Sequence, residues 1–225
     1  MEQFFEFLKE LKENNNREWF KANKSRYDEL AKKYIAIVQQ LIDKISVFDR
    51  EIAGLEAKNC IFRIYRDIRF STDKSPYKSH LGAFMAGRGG RASAYGGYYF
   101  HIEPGNSILS GGSWCPTPQM VKQLRKDIYD NMDDFLAIME DKKFKKLYNG
   151  LDGEVLKKMP EGFPKDLPDK VADILKHKNF FVYCDKPDSF FKASDWIDKA
   201  VEDFRILYPF NQFLNYTIGE FYGKA

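Results

Sequence analysis

Gly97-Tyr98-Tyr99-Phe100-His101-Ile102-Glu103 and Ser107-Ile108-Leu109-Ser110-Gly111-Gly112 stand on either side of the turn Glu103-Pro104-Gly105-Asn106. Two runs of alternating character around a Pro-Gly turn read as an antiparallel hairpin, with strands over residues 97–103 and 107–112. Upstream, residues 80–86 read as another strand. Residues 61–70 alternate, with Phe62, Ile64, Ile68 and Phe70 on one face together with Arg66, and Arg63, Tyr65, Asp67 and Arg69 on the other. Residues 180–184 read as a strand returning to the same sheet. Short Gly- and Pro-bearing connections favour an antiparallel meander over parallel βαβ units.

Helical spacing flanks this β-rich middle. Phe4, Phe5, Leu8 and Leu11 form a short apolar stripe, and Asn14-Asn15-Asn16 supplies a break and an N-cap for residues 17–21. Tyr27, Leu30, Tyr34, Val38, Leu41, Ile45 and Phe48 recur at steps of three and four, which predicts a long helix, with Ser25 and Asp28 as a capping box at its start. Thr117-Pro118 predicts a capped start for one helix carrying Met120, Leu124, Ile128, Met132, Phe135 and Met139. Residues 159–168 form a proline-rich crossing segment. Ser194 is expected to cap a last helix that Pro209 bends or ends. The predicted class is α+β: a central antiparallel, largely meander sheet packed with N-terminal and C-terminal helices. No linker interrupts the 225 residues, so one domain over 1–225 is expected.

The composition, 44% hydrophobic with 16% aromatics, excludes coiled-coil, collagen-like and disordered classes. No apolar run approaches the roughly 20 residues of a membrane span. The acidic and basic residues among the first eleven do not fit a signal peptide, so a soluble, cytoplasmic protein without a membrane partner is expected. The net charge of +3 is unevenly distributed. Residues 58–91 hold eight cations against Asp67 and Asp73, a local +6, which leaves −3 for the rest. A basic segment in a slightly acidic chain points to an anionic partner.

Cys60, Cys115 and Cys184 are odd in number and far apart, with neither disulfide nor structural-zinc spacing. His101-Ile102-Glu103 matches half of a zinc deaminase signature, but Cys115 is followed by Pro-Thr-Pro where a second cysteine is needed. No metal and no cofactor are expected. Gly87-Arg88-Gly89-Gly90-Arg91-Ala92 has G-x-G-x-x-A spacing, yet a strand follows it, which removes the dinucleotide-binding context.

Four stretches carry a family resemblance. They are Asn14-Asn15-Asn16-Arg17-Glu18-Trp19-Phe20; residues 62–70 running into Asp73-Lys74-Ser75-Pro76-Tyr77-Lys78-Ser79-His80; residues 97–104; and Gly111-Gly112-Ser113-Trp114. Together they resemble the bacterial and fungal domain of unknown function 2461 over nearly the whole chain. The resemblance implies a family and no mechanism. The family often has Asp-His-Pro in the proline-rich segment, where this chain reads Asp166-Leu167-Pro168.

Strand parity gives the candidate site. Arg63, Tyr65, Asp67 and Arg69 share one face of their run, and Tyr99, His101 and Glu103 share one face of theirs. If both faces lie on the same side of one sheet, these residues form a single polar cluster. Arginine forks and tyrosine hydroxyls suit a phosphate or carboxylate, and Lys74, Tyr77, Lys78 and His80 are placed to close over it, with Trp114 nearby. The expected ligand is therefore an anionic small molecule, one bearing phosphate in the narrower form of the reading. His101, Glu103 and Asp67 are the candidate catalytic groups. Two alternatives stay open. Arginines interleaved with Tyr65 and Tyr77 fit a nucleic-acid-binding module, and Asp67, His101 and Glu103 fit an acid/base hydrolase.

Overall fold

In a computed structural model, which describes residues 1–164 and 166–223, the hairpin forms as its alternation requires. Four strands occur among the described residues: β1 (Leu81–Met85), β2 (Gly97–Ile102), β3 (Ser107–Ser113) and β4 (Phe180–Lys186). They pair antiparallel in the order β1-β2-β3-β4, so the meander is observed. In front of the sheet come α1 (Glu2–Glu13), α2 (Arg17–Ala22), α3 (Lys24–Ile45) and the single turn α4 (Ala57–Cys60). Between β3 and β4 lie α5 (Pro118–Asp130), α6 (Met132–Met139), α7 (Lys142–Leu147) and α8 (Asp169–Lys176), and α9 (Trp196–Gly223) closes the chain. The architecture is α+β, with N- and C-terminal helices flanking the sheet. None of the described helices is long and apolar enough to cross a membrane.

The core lies on one face of the sheet. Tyr98, Phe100 and Ile102 of β2 are fully buried there. Phe100 stacks between Tyr34 of α3, at 5.9 Å, and Trp196 of α9, at 5.7 Å, while Phe204 of α9 meets Tyr98 edge-on at 5.3 Å. Strand parity sends Tyr99 and His101 to the opposite face. Gly82 of β1 leaves room for Tyr99 there: a Cβ at position 82 would sit 2.8 Å from the Tyr99 hydroxyl.

One polar pair is built into this core. The Tyr98 hydroxyl donates to Asp49 Oδ2 at 2.8 Å, and burial raises both groups above their ordinary pKa values. Tyr98→Phe is expected to lower unfolding free energy by about 1–3 kcal/mol, because it removes a donor from a buried acceptor. Urea unfolding of the two proteins measures it; equal midpoints would deny the bond a stabilising role.

Several sequence expectations are corrected. Residues 61–70 are not a strand. They touch the 76–83 segment through the isolated bridges Ile61↔Ala83 and Tyr65↔Tyr77, with Phe62 N–H donating to Gly82 O and Arg66 N–H to Pro76 O. A tight turn, in which Asp73 accepts from Ser75 N–H and pairs with Arg66, folds the run back on a partner that contains Pro76, and proline cannot donate to a ladder. Parity therefore fails at its end, where Phe70 is 96% exposed. Arg66, which alternation places on the apolar face, pairs with the exposed Asp73.

The long helix starts at Lys24, where Asp28 pairs with Lys24 instead of closing a capping box with Ser25. The expected helix over 120–139 is broken at Asn131, whose side chain bonds back to Asp127. Pro209 lies inside α9, which continues to Gly223. The caps at Asn16 and Thr117 form as expected, accepting from Trp19 N–H and Met120 N–H. Within the proline-rich crossing, residue 165 lies outside the described residues.

Candidate functional site

Two polar constellations meet at the β1 edge of the sheet. The first follows from hairpin register. Leu81 pairs with Ile102, so His80, one residue before β1, falls opposite Glu103, one residue after β2. His80 stacks on His101, with centroids 4.3 Å apart and planes 26° from parallel. The Tyr99 hydroxyl lies 3.0 Å from His101 Nδ1, and His101 Nε2 lies 3.3 Å from Glu103 Oε2. Glu103 is fixed further by Ser79 Oγ on Oε1 at 2.8 Å and by Asn106 Nδ2 on Oε2 at 3.0 Å.

Burial orders the protonation states. It pushes His80 down to about 4, with His101 adding to the effect, and lowers His101 despite the opposing pull of Glu103. Burial alone would raise Glu103, but hydrogen bonds from Asn106, Ser79 and His101 together bring it below its ordinary value. Burial pushes Tyr99 up to about 12. At neutral pH the set is two neutral imidazoles, one carboxylate and one protonated phenol. The fitting tautomer has Tyr99 O–H donating to Nδ1 and Nε2–H donating to Glu103.

The second constellation is a groove of about 740 Å³ on the helix side of the same edge. Tyr27, Ala31 and Ile35 of α3 form one wall, and Ile61, Phe62 and Leu81 form the other. Lys58, Arg63, Lys78 and Arg91 also line it, and the described lining includes no acid. Arg91 is tied by Nη1 to the Lys58 carbonyl at 3.1 Å. Arg63 and Lys78 have no side-chain hydrogen bond or ion pair among the described residues. The Lys78 ammonium sits 5.3 Å from the centroid of the Phe62 ring, and burial followed by the charge of Arg63 lowers its pKa. An anion bound here would relieve that repulsion.

Seven of the sequence-derived site residues divide among three places. Tyr99, His101 and Glu103 are joined on one face of the sheet, as parity requires. Arg63 and Lys78 lie in the groove. Asp67 and Arg69 pair with each other at the surface, Arg69 Nη2 to Asp67 Oδ2 at 2.6 Å, and no hydrogen bond or ion pair among the described residues links them to His101 or Glu103. The single cluster therefore separates, because it required residues 61–70 to be a strand of the sheet.

Lys74 Nζ donates to the Ile68 carbonyl within its own loop. Tyr77 is buried against Phe20, with stacked rings 4.0 Å apart, and Asn15 clamps its backbone through both N–H and C=O. Tyr65 is half-exposed beside both rings. Trp114 is 63% exposed at the far end of β3, against Phe181. Ser79, Lys58 and Arg91 were absent from the candidate set, and His80 entered it only as a loop residue closing over the ligand, not as a neighbour of His101. Counting the register back from the Pro-Gly turn would have placed His80 beside His101, whereas Lys58 and Arg91 carried no signal beyond membership of the basic segment.

Comparison with curated proteins and with solved structures gives no match. The motifs that build the histidine cluster and the groove fall within residues 3–213, which match the family model described as "Conserved hypothetical protein (DUF2461)". Since that match covers nearly the whole chain, the protein belongs to the DUF2461 family.

Proposed function

We propose that this protein binds an anionic small molecule, one carrying a phosphate group, in the groove between α3 and residues 61–63. The carrying observation is the charge of the lining: four cations with no acid among the described residues, two of them without a side-chain hydrogen bond or ion pair. Unpaired surface cations are ordinary. A half-buried ammonium held beside a guanidinium is not, since each disfavours the charge of the other. A phosphate would accept from the Arg63 fork and neutralise Lys78, while Tyr27 and Phe62 offer flat apolar surface to the remainder of the ligand. The volume lies within the range of about 300–1,000 Å³ usual for small-molecule sites.

Calorimetric titration with inorganic pyrophosphate, a sugar phosphate, a nucleoside monophosphate and a mixed-sequence oligonucleotide tests this reading. The small phosphates are expected to bind with one site per chain and to weaken as salt rises. The oligonucleotide is expected to bind weakly at physiological salt, because so few cations can displace only a handful of counterions. Tight, salt-resistant oligonucleotide binding, or heat from none of the small anions, would overturn the proposal.

A further inference from the structure

We propose that His80, His101 and Glu103 form a binding site for a divalent transition-metal ion of the zinc class, with at least one coordination position left to solvent. One ligand atom from each residue can be chosen so that all three lie within 4.8 Å of one another. A tetrahedral ion with bonds of about 2.0–2.1 Å needs its ligand atoms roughly 3.4 Å apart, so binding requires the His80 ring to turn out of its stack on His101 and aim a ring nitrogen at the ion. The separation of His101 Nε2 from Glu103 Oε2, 3.3 Å, already fits. It is long for a charge-assisted N–H···O bond, which closes to about 2.7–2.9 Å, and close to the edge of a tetrahedron around an ion.

The surroundings are those of a ligand set held in place. Metal-ligating histidines donate their second ring N–H to a neighbouring acceptor. With Nε2 on the ion, His101 Nδ1–H would donate to the Tyr99 oxygen 3.0 Å away. Glu103 is oriented by Ser79 and Asn106. His101 is 8% exposed, which holds its ring in place, while the partly exposed His80 leaves an approach from solvent. Two imidazoles and one carboxylate favour zinc, cobalt, nickel or iron over magnesium and calcium, which prefer all-oxygen shells. Three protein ligands with an open position are the arrangement of catalytic rather than structural zinc sites.

The inference is independent of the anion groove, since none of the three residues lines it. The test is calorimetric titration of chelator-treated protein with Zn²⁺, together with the visible absorption of the Co²⁺-loaded protein. One ion per chain is expected, with the absorption of a four- or five-coordinate Co²⁺ site. His80→Asn is expected to weaken binding at least tenfold, and Glu103→Gln by roughly a hundredfold, at or above the 10–100-fold typical of losing an outer-shell partner. Circular dichroism of each variant confirms that it is folded, and Arg63→Gln is expected to bind the ion like the parent. Absence of stoichiometric binding would overturn the proposal, as would folded His80→Asn and Glu103→Gln proteins that bind Zn²⁺ and Co²⁺ like the parent.

Discussion

Gly112→Ala is expected to lower the melting temperature by roughly 4–24 °C, or to leave no folded protein. Gly112 has φ +109°, a region that residues with a Cβ rarely adopt. Its missing Cβ would lie 2.8 Å from Phe181 Cα and 2.8 Å from Phe210 Cε1, and closer still to the Phe180 carbonyl oxygen. Two of these neighbours are backbone atoms of β4, which cannot move without opening the β3–β4 ladder. Strain of about 1–3 kcal/mol for the dihedral adds to about 1–3 kcal/mol for the collision. For a chain of this length each kcal/mol shifts the midpoint by roughly 2–4 °C. Gly105→Ala is the control, since Gly105 has φ +73° with nothing within 4 Å of the added atom. It should cost only the dihedral strain. Equal thermal midpoints for the two variants would refute the packing argument.

Asp203→Asn is expected to cost about 3–5 kcal/mol, because it leaves a charge uncompensated inside the protein. Lys186 of β4 is 9% exposed, and its ammonium meets Asp203 Oδ2 of α9 at 2.8 Å. The same ammonium sits 5.0 Å from the centroid of the Phe190 ring, and the Asp203 carbonyl accepts from the buried Tyr148 hydroxyl. The pair thus joins the last strand to the last helix where the surroundings offer Lys186 little water. Replacing both partners, as Lys186→Met with Asp203→Leu, removes the charge and its counter-charge together and is expected to restore most of the loss. Urea unfolding of the single and double variants measures this. A single variant within about 0.5 kcal/mol of the parent, the range usual for surface substitutions, would show the pair to be solvated.

Strands β1 to β4 were legible in the sequence because apolar alternation and turn chemistry agree there. Residues 61–70 alternate equally well, yet alternation records only which faces a run could present. Whether the run joins a sheet depends on an uninterrupted partner, and the opposing 76–83 segment begins at a proline. The break at Asn131 was hidden because the stripe from Met120 to Met139 continues through it, while the interruption comes from a side chain bonding back to the preceding turn.

The same distinction governs the site. Tyr99, His101 and Glu103 were found because parity along one strand is local. His80 joins them through pairing between strands, and Lys58, Arg63, Lys78 and Arg91 come together through the docking of α3, which no local pattern encodes. Asp67 and Arg69, two residues apart, satisfy each other instead of a ligand.

The measurement that bears most directly on the anion groove is calorimetric titration of inorganic pyrophosphate into the parent and into the Arg63→Gln, Lys78→Gln double variant. Each lost charge-assisted bond is worth about 1.5–3 kcal/mol, so affinity should fall roughly a hundredfold or more. Neither side chain has a hydrogen bond or ion pair to lose among the described residues, and the contact of Lys78 with the Phe62 ring is the one interaction removed, so the thermal midpoint without ligand should fall little. Unchanged pyrophosphate affinity in a folded double variant would contradict the assignment of this groove as the anion site.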